Sequence, residues 1–283
     1  METVRAYAKI NLALEVVKKT KKNYHKLKMI MSEIELYDLI TFEPCDDIVV
    51  CTNKFVCDME QNLCYKIAKY LQASYKIKKG IRIRIEKNIP DGGGLGGGSS
   101  DAATVLKYLN KYWGLNLNKR KLKKIAFNFG CDIPFFVEGG LSYVTGYGEK
   151  IKKLKKRCPI EDVILVLPPF KNNTKQVFEH CLFNEKGKKI QSCKKVLKQR
   201  IKKEYIMNLF NELQIASDKY NSDKVKKIID KINEDGRCRA IMSGSGSTVV
   251  CYVFEKKDVE EVFENLKLRL TFCDIIKTKV KVK

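Results

Sequence analysis

Six glycines fall within the seven positions 92–98, inside the stretch Pro90-Asp-Gly-Gly-Gly-Leu-Gly-Gly-Gly-Ser-Ser-Asp-Ala-Ala103. Backbone without Cβ can turn its N–H groups inward around an anion, and a following helix adds the positive end of its dipole. Before the loop, Ile81-Arg-Ile-Arg-Ile-Glu86 alternates as a strand. After it, Ala102, Val105, Leu106 and Leu109 recur at helical spacing, with Ser99, Ser100 or Asp101 available as N-cap. Strand, glycine loop and capped helix form a phosphate cradle, which disfavours a flexible glycine linker.

Several phosphate-binding templates overlap here. Gly92, Gly94 and Gly97 fit G-x-G-x-x-G, but no acidic residue lies between Asp101 and Asp132 to hold the ribose of a dinucleotide. A Walker loop requires Gly-Lys-Ser/Thr, whereas these glycines run straight into Ser99. The His-Arg-Asp and Asp-Phe-Gly sets of a protein kinase are missing from the sequence.

A net charge of +23 suits nucleic acid or small anionic ligands. The charge is mostly lysine spread over the whole chain, with no arginine-rich arm or aromatic RNA-binding signature. A solvated surface that attracts polyphosphate substrates is therefore favoured over a nucleic-acid partner. The odd number of cysteines, eleven, carries no C-x-x-C pair or nearby His cluster, and with only two histidines in the chain a zinc site is disfavoured. Small buried thiols in a reducing cytoplasm are expected. No apolar run reaches the length of a membrane span, and the strand pattern begins too close to Met1 for a leader.

At 283 residues, one large or two ordinary domains are expected. Strand character covers 4–17, 29–43, 48–52 and 81–87, with helices over 62–74, from the glycine loop to about Trp113, and around Leu122–Phe129. The basic stretch Lys150–Arg157 is read as a boundary. Beyond it, strands at 163–167, 249–254 and 275–282 alternate with helices at 174–181, 188–199, 224–234 and 258–270, which suggests an α+β sandwich.

Two more stretches carry chemistry. Met242-Ser-Gly-Ser-Gly-Ser-Thr248 reads equally well as a hairpin turn or as a second ligand loop. Ala8-Lys9-Ile10-Asn11 puts a lysine inside an apolar strand, where an unpaired ammonium is costly, so Lys9 needs a partner. Together these resemble the GHMP small-molecule kinases, named for galactokinase, homoserine, mevalonate and phosphomevalonate kinases. The family motif Pro-x-x-x-Gly-Leu-Gly-x-Ser-Ser is similar to Pro90–Ser100, lengthened here by one glycine. That longer form marks the branch acting on a cytidylyl sugar alcohol of the methylerythritol type, in non-mevalonate isoprenoid synthesis. Tyr24-His25, Gly130-Cys-Asp-Ile-Pro-Phe-Phe136 and Thr174-x-x-x-Phe178 follow the same branch in order. The chain departs from the family pattern at Lys22-Asn23, where many members have Asp-Gly, and across 183–206; the first puts the local turn in doubt.

The resemblance implies a two-domain α+β fold. Its N-terminal half, 1–155, would be ribosomal-protein-S5-domain-2-like, and 156–283 a ferredoxin-like α/β sandwich, with the active site in the cleft between them. It implies Asp132 as the base and Lys9 as its partner, although Asp132 ahead of Ile133-Pro134 also reads as a helix cap, and Lys9 as a snorkelling strand lysine. Pro90, Asp91, Gly92, Gly93, Gly94, Leu95, Gly96, Gly97, Gly98, Ser99 and Ser100 would wrap the phosphates of ATP. Mg²⁺ is expected, reached by Ser99 or Ser100, with no side chain assigned as an acidic ligand. Asn62, Leu63 and Lys87 resemble positions lining the adenine site. Tyr24, His25 and Phe178 would read cytosine, two rings sandwiching the flat base and the imidazole bonding its edge. Asn11 and Thr174 would bond the substrate's polar groups, and the 242–247 loop would approach the cleft. A homoserine- or mevalonate-type kinase, or a basic RNA-binding module, are the rival readings.

Overall fold

The computed structural model describes residues 1–19, 25–155, 158–181 and 191–281. In chain order the first part contains β1 (Glu2–Lys19), β2 (His25–Glu43), β3 (Ile48–Thr52), α1 (Leu63–Ser74), β4 (Ile81–Glu86), α2 (Gly97–Tyr112), α3 (Lys119–Phe127), α4 (Ile133–Glu138), β5 (Ser142–Gly146) and β6 (Lys150–Lys153). The second contains β7 (Asp162–Leu167), α5 (Thr174–Glu179), α6 (Cys193–Lys198), α7 (Lys202–Met207), β8 (Phe210–Asn211), α8 (Leu213–Asn221), α9 (Lys224–Asn233), β9 (Cys238–Met242), β10 (Val249–Val253), α10 (Val259–Arg269) and β11 (Asp274–Lys279).

Two sheets result. The first runs β3-β4-β2-β1-β8, with β5 on β2 and β6 on β5. The second runs β11-β7-β10-β9, all antiparallel. In the order of those four strands along the chain this is 4-1-3-2, with α8 and α9 before the second and α10 before the last, a ferredoxin-like arrangement. The segment α5–β8 is inserted into it. Its two-residue strand β8 crosses to the first sheet and pairs in parallel with Ala13 and Leu14 of β1.

Period-2 patterning explains why the second sheet is buried on both faces. Val249, Cys251 and Val253 of β10 join the helix-covered cluster, with Ile228, Val262 and Leu266. Val250 and Tyr252 point the other way, with Val163 and Leu165 of β7, onto Ala8, Ile10 and Leu12 of β1. That second cluster bonds the two sheets. The expected boundary between 155 and 156 falls at the edge of the described residues, and the helix start expected at 188 lies outside them.

On β1, the pairing with β2 shifts register between Tyr7 and Lys9 and again between Asn11 and Ala13. Bulges of this kind re-aim side chains, and here they bracket Lys9–Asn11.

Candidate active site

Lys9 is 3% exposed, and its Nζ donates to Asn11 Oδ1 at 2.7 Å. Asp132 Oδ2 stands 4.0 Å away. Burial lowers the Lys9 pKa, and the neighbouring Asp132 charge opposes that shift. Asp132 occupies the N-cap of α4, as one reading of the sequence had it, but its side chain makes no capping hydrogen bond. Instead the carboxylate, 39% exposed, faces Lys9 across the cleft. An accessible carboxylate and a buried ammonium thus meet at one point, from β1 and from the start of α4.

The glycine loop is clamped against that point. Leu95 O accepts from the Lys9 backbone N–H at 2.9 Å. Gly94, with φ of +75°, lies so close to the 243–248 turn that a Cβ on it would sit 2.2 Å from Ser243 O. Thr248 N donates to Gly93 O at 3.3 Å, and Ser243 Oγ to Gly94 O at 3.3 Å. That turn joins β9 to β10 through the Met242–Val249 pair, so the stretch is a hairpin connection, and its Gly244 and Ser245 approach the cleft as expected. Gly98 differs from its neighbours. It is helical and exposed, and a Cβ there would meet nothing within 4 Å. Neither backbone conformation nor packing calls for glycine at 98; the space it leaves belongs to the cleft.

A cavity of about 720 Å³ runs past these groups and is lined by Lys9, Asn11, the 90–99 loop, Asp132, Gly244 and Ser245. Ser99 faces it. Ser100, expected on the phosphates, does not: it is buried, and its Oγ donates to Tyr7 O at 2.7 Å, tying α2 to β1.

Farther along, the same cavity is lined by His25, Thr174 and Phe178. Tyr24 lies outside the described residues. The His25 and Phe178 rings stack directly, with centroids 4.9 Å apart and planes 28° from parallel. The imidazole expected at the edge of the base thus packs on the face of Phe178, one of the two rings expected to sandwich it. Burial lowers the His25 pKa, and Lys19 adds to the shift. Thr174 Oγ1 is 2.8 Å from Ser245 Oγ, so α5 is tied to the hairpin turn. Leu14, Leu27, Met29 and Tyr147 also line this end, and nothing in their spacing marked them beforehand.

A smaller cavity of about 160 Å³ opens beside α2, lined by Asn62, Leu63, Lys87, Asp91, Gly98 and Asp101 among others. Leu63, Asp91 and Gly98 border both cavities. Asn62 Oδ1 caps α1, accepting from Cys64 N at 2.9 Å. The alternative of a surface lysine at the end of β4 fails for Lys87, which is 5% exposed. Its Nζ donates to Asp38 Oδ2 at 2.5 Å and to Asp101 Oδ2 at 2.8 Å. Burial disfavours the Lys87 charge, but the two carboxylates outweigh it and raise the pKa. Burial pushes the Asp101 carboxyl up to about 7, resisted by Lys87 and reinforced by Asp38. Among the described residues no group of three His, Cys, Asp or Glu side chains is arranged to hold a metal ion. No helix of the described residues is long and apolar enough to cross a membrane.

Comparison with known proteins bears on the whole chain. The GHMP kinases N terminal domain matches residues 62–140, and the GHMP kinases C terminal domain matches 201–270. The chain is similar to a 4-diphosphocytidyl-2-C-methyl-D-erythritol kinase of Clostridium botulinum (strain Alaska E43 / Type E3), 37% identical over 97% of this chain and 99% of the other. A protein of that name from Clostridium perfringens (strain 13 / Type A) is 35% identical over 98% and 97%. The crystal structure of a 4-(cytidine 5'-diphospho)-2C-methyl-D-erythritol kinase superposes with a TM-score of 0.82 at 25% identity, covering 100% of both chains. The Methanococcus jannaschii mevalonate kinase, at 15% identity and TM-score 0.71 over 99% and 98%, shares the fold.

Proposed function

The chain belongs to the GHMP kinase family, which uses ATP as phosphate donor, and from that premise we propose that it phosphorylates 4-diphosphocytidyl-2-C-methyl-D-erythritol. The reaction transfers the γ-phosphoryl of ATP to a hydroxyl, giving the 2-phosphate, in isoprenoid precursor synthesis by the non-mevalonate pathway. The observation that carries this reading is the Lys9–Asp132 pair, facing the glycine loop inside a cavity that also contains the His25–Phe178 rings. Both identity to relatives of that name over nearly the whole chain and the structural likeness support it.

In this reading Asp132 accepts the hydroxyl proton as the hydroxyl oxygen forms its bond to Pγ and the bond from Pγ to the β-phosphate oxygen breaks. Lys9 and Asn11 hold the reacting end, Lys9 also countering charge on the transferring group. The Pro90–Ser99 backbone and the start of α2 receive the triphosphate, and the open space over Gly98 fits its close approach. Mg²⁺, when bound, would neutralise phosphate charge, and the Ser99 hydroxyl is the oxygen of this chain suited to it. Asn62, Leu63 and Lys87 border the base of ATP. His25, Phe178 and Thr174 hold the cytidylyl end. The two domains of the reading, 1–155 and 156–283, meet along this cleft. The eleven free cysteines accord with a cytoplasmic site of action.

The test is an ADP-release assay with ATP and each alcohol in turn. Turnover of the cytidylyl alcohol, and of neither homoserine nor mevalonate, is expected. Turnover of homoserine or mevalonate alone overturns the substrate assignment, and salt-sensitive RNA binding without any phosphorylation overturns the enzyme reading.

A further inference from the structure

Asp38 of β2 has no part in the transfer chemistry described above. It is fully buried and stands on the wall of neither cavity, so it touches neither a nucleotide nor an alcohol bound there. What it holds is the chain on either side of the glycine loop. Its Oδ1 accepts from the backbone N–H groups of Asn88 at 2.6 Å and Ile89 at 2.7 Å, the two residues before Pro90. Its Oδ2 accepts from Lys87 Nζ at 2.5 Å. That ammonium also donates to Asp101 Oδ2 at 2.8 Å, near the start of α2, where the chain has left the loop. Entry and exit touch as well: a Cβ on Gly97 would stand 3.1 Å from Ile89 Cγ2 and 3.3 Å from Lys87 Nζ. The hairpin and β1 hold the middle of the loop at Gly93, Gly94 and Leu95, and the buried ion network closes its base.

We propose that Asp38 is a positioning residue for phosphoryl transfer: through its own backbone bonds and through Lys87 and Asp101 it locks the two ends of the glycine loop together, so that the loop amides are set before the nucleotide arrives. The proposal rests on the reading of this loop as the seat of the ATP phosphates. Glycine loses more backbone freedom on ordering than any other residue, so a glycine-rich loop left free would weaken ligand binding by the entropy of arranging it. Pinning both ends in the folded protein removes that loss from the binding step. The network is a strong pin because its members are interdependent. A buried charge is stable only when paired, and neutralising Asp38 leaves the ammonium with one carboxylate in place of two.

The experiment uses Asp38→Asn, which keeps the shape and an oxygen for the Asn88 and Ile89 N–H groups but sets an amide NH₂ against Lys87. Two competitors of ATP separate the parts of the nucleotide: inorganic tripolyphosphate reports on the loop, and adenosine on the base and sugar. The inhibition constant of tripolyphosphate and the KM for ATP should rise about tenfold or more, the loss of one charge-assisted hydrogen bond. The inhibition constant of adenosine and the KM for the cytidylyl alcohol should change less than about threefold. A merely structural role would lower Tm and leave this split absent. Unchanged tripolyphosphate inhibition in the variant, or adenosine weakened as much as tripolyphosphate, overturns the proposal. If Asp38→Asn does not fold, Asp101→Asn cuts the network from the other end and is read in the same way. If neither folds, amide exchange in the unaltered protein decides: the Asn88 and Ile89 N–H groups should be protected without nucleotide, and exchange at the rate of an unstructured chain overturns the proposal. Failure of the underlying reading looks different. An unaltered protein that binds neither ATP nor tripolyphosphate ends both, whereas one that binds both while the variant matches it ends the proposal alone.

Discussion

Replacing Gly98 by alanine should stabilise the protein and weaken its use of ATP at once. Gly98 is an exposed residue in the first turn of α2 with ordinary helical φ, and a Cβ there would have no atom within 4 Å. Alanine is therefore free of steric cost in the unliganded protein and removes the backbone-entropy penalty of glycine, roughly 0.5–1 kcal/mol in a helix interior and less in a first turn. For a chain of this length that gain raises Tm by about 1–2 °C. In the proposed complex the same methyl group lies where a triphosphate oxygen approaches the backbone. Losing one charge-assisted hydrogen bond costs about 1.5–3 kcal/mol, equivalent to a KM for ATP raised roughly ten- to a hundredfold. Thermal melts without nucleotide and initial rates against ATP concentration measure the two effects. A variant less stable than the parent, or one with unchanged KM for ATP, would refute the reasoning.

Asp132→Ala should keep the fold, since the carboxylate caps nothing, and lose at least about a hundredfold in kcat; near-normal turnover removes Asp132 from the role of base. Phe178→Ala should raise KM for the cytidylyl alcohol more than for ATP, because Phe178 lines the far end of the cavity; equal effects argue against a base-stacking surface there. His25 is held below its ordinary pKa by burial, so the folded state binds fewer protons than the unfolded state, and its contribution to stability is present at neutral pH and lost as pH falls below about 6.5. Melts from pH 7.5 to 5 should therefore show a smaller loss for His25→Gln, and parallel curves refute the assignment. Gly94→Ala should be the most damaging loop change, since its Cβ would sit 2.2 Å from Ser243 O at a φ of +75°; a variant melting with the parent shows that the turn can give way.

The local elements were legible where a single segment carried the signal. The strand before the loop and the Asn62 cap of α1 stand within a residue or two of their expected bounds, whereas α2 begins earlier than expected, with Gly96 at its N-cap in place of Ser99, Ser100 or Asp101, because the glycine backbone itself turns into the helix. Lys9 demanded a partner from its apolar surroundings alone, and the structure supplies Asn11 and Asp132. What the sequence hid depends on contacts between distant segments. Asp38, Lys87 and Asp101 are separated by 49 and 14 positions, and nothing in their spacing says that they meet. β8 is two residues long and exists through its pairing with β1, too short for any periodicity. Ser100 fitted the phosphate motif, yet the helical turn carries its hydroxyl round to the Tyr7 carbonyl. The order of the ring contacts was likewise invisible: two aromatic positions can be proposed from sequence, but not that they already touch.

The 243–248 hairpin is a mould for the glycine loop: backbone of one half of the chain gives shape to backbone of the other. A cut between the halves would leave residues 90–98 intact in sequence and still tied to β1 at Leu95, but without the contacts that the hairpin makes to Gly93 and Gly94. The same dependence limits motion. The two sheets cannot part like jaws without unmaking the contacts that hold the loop at Gly93 and Gly94.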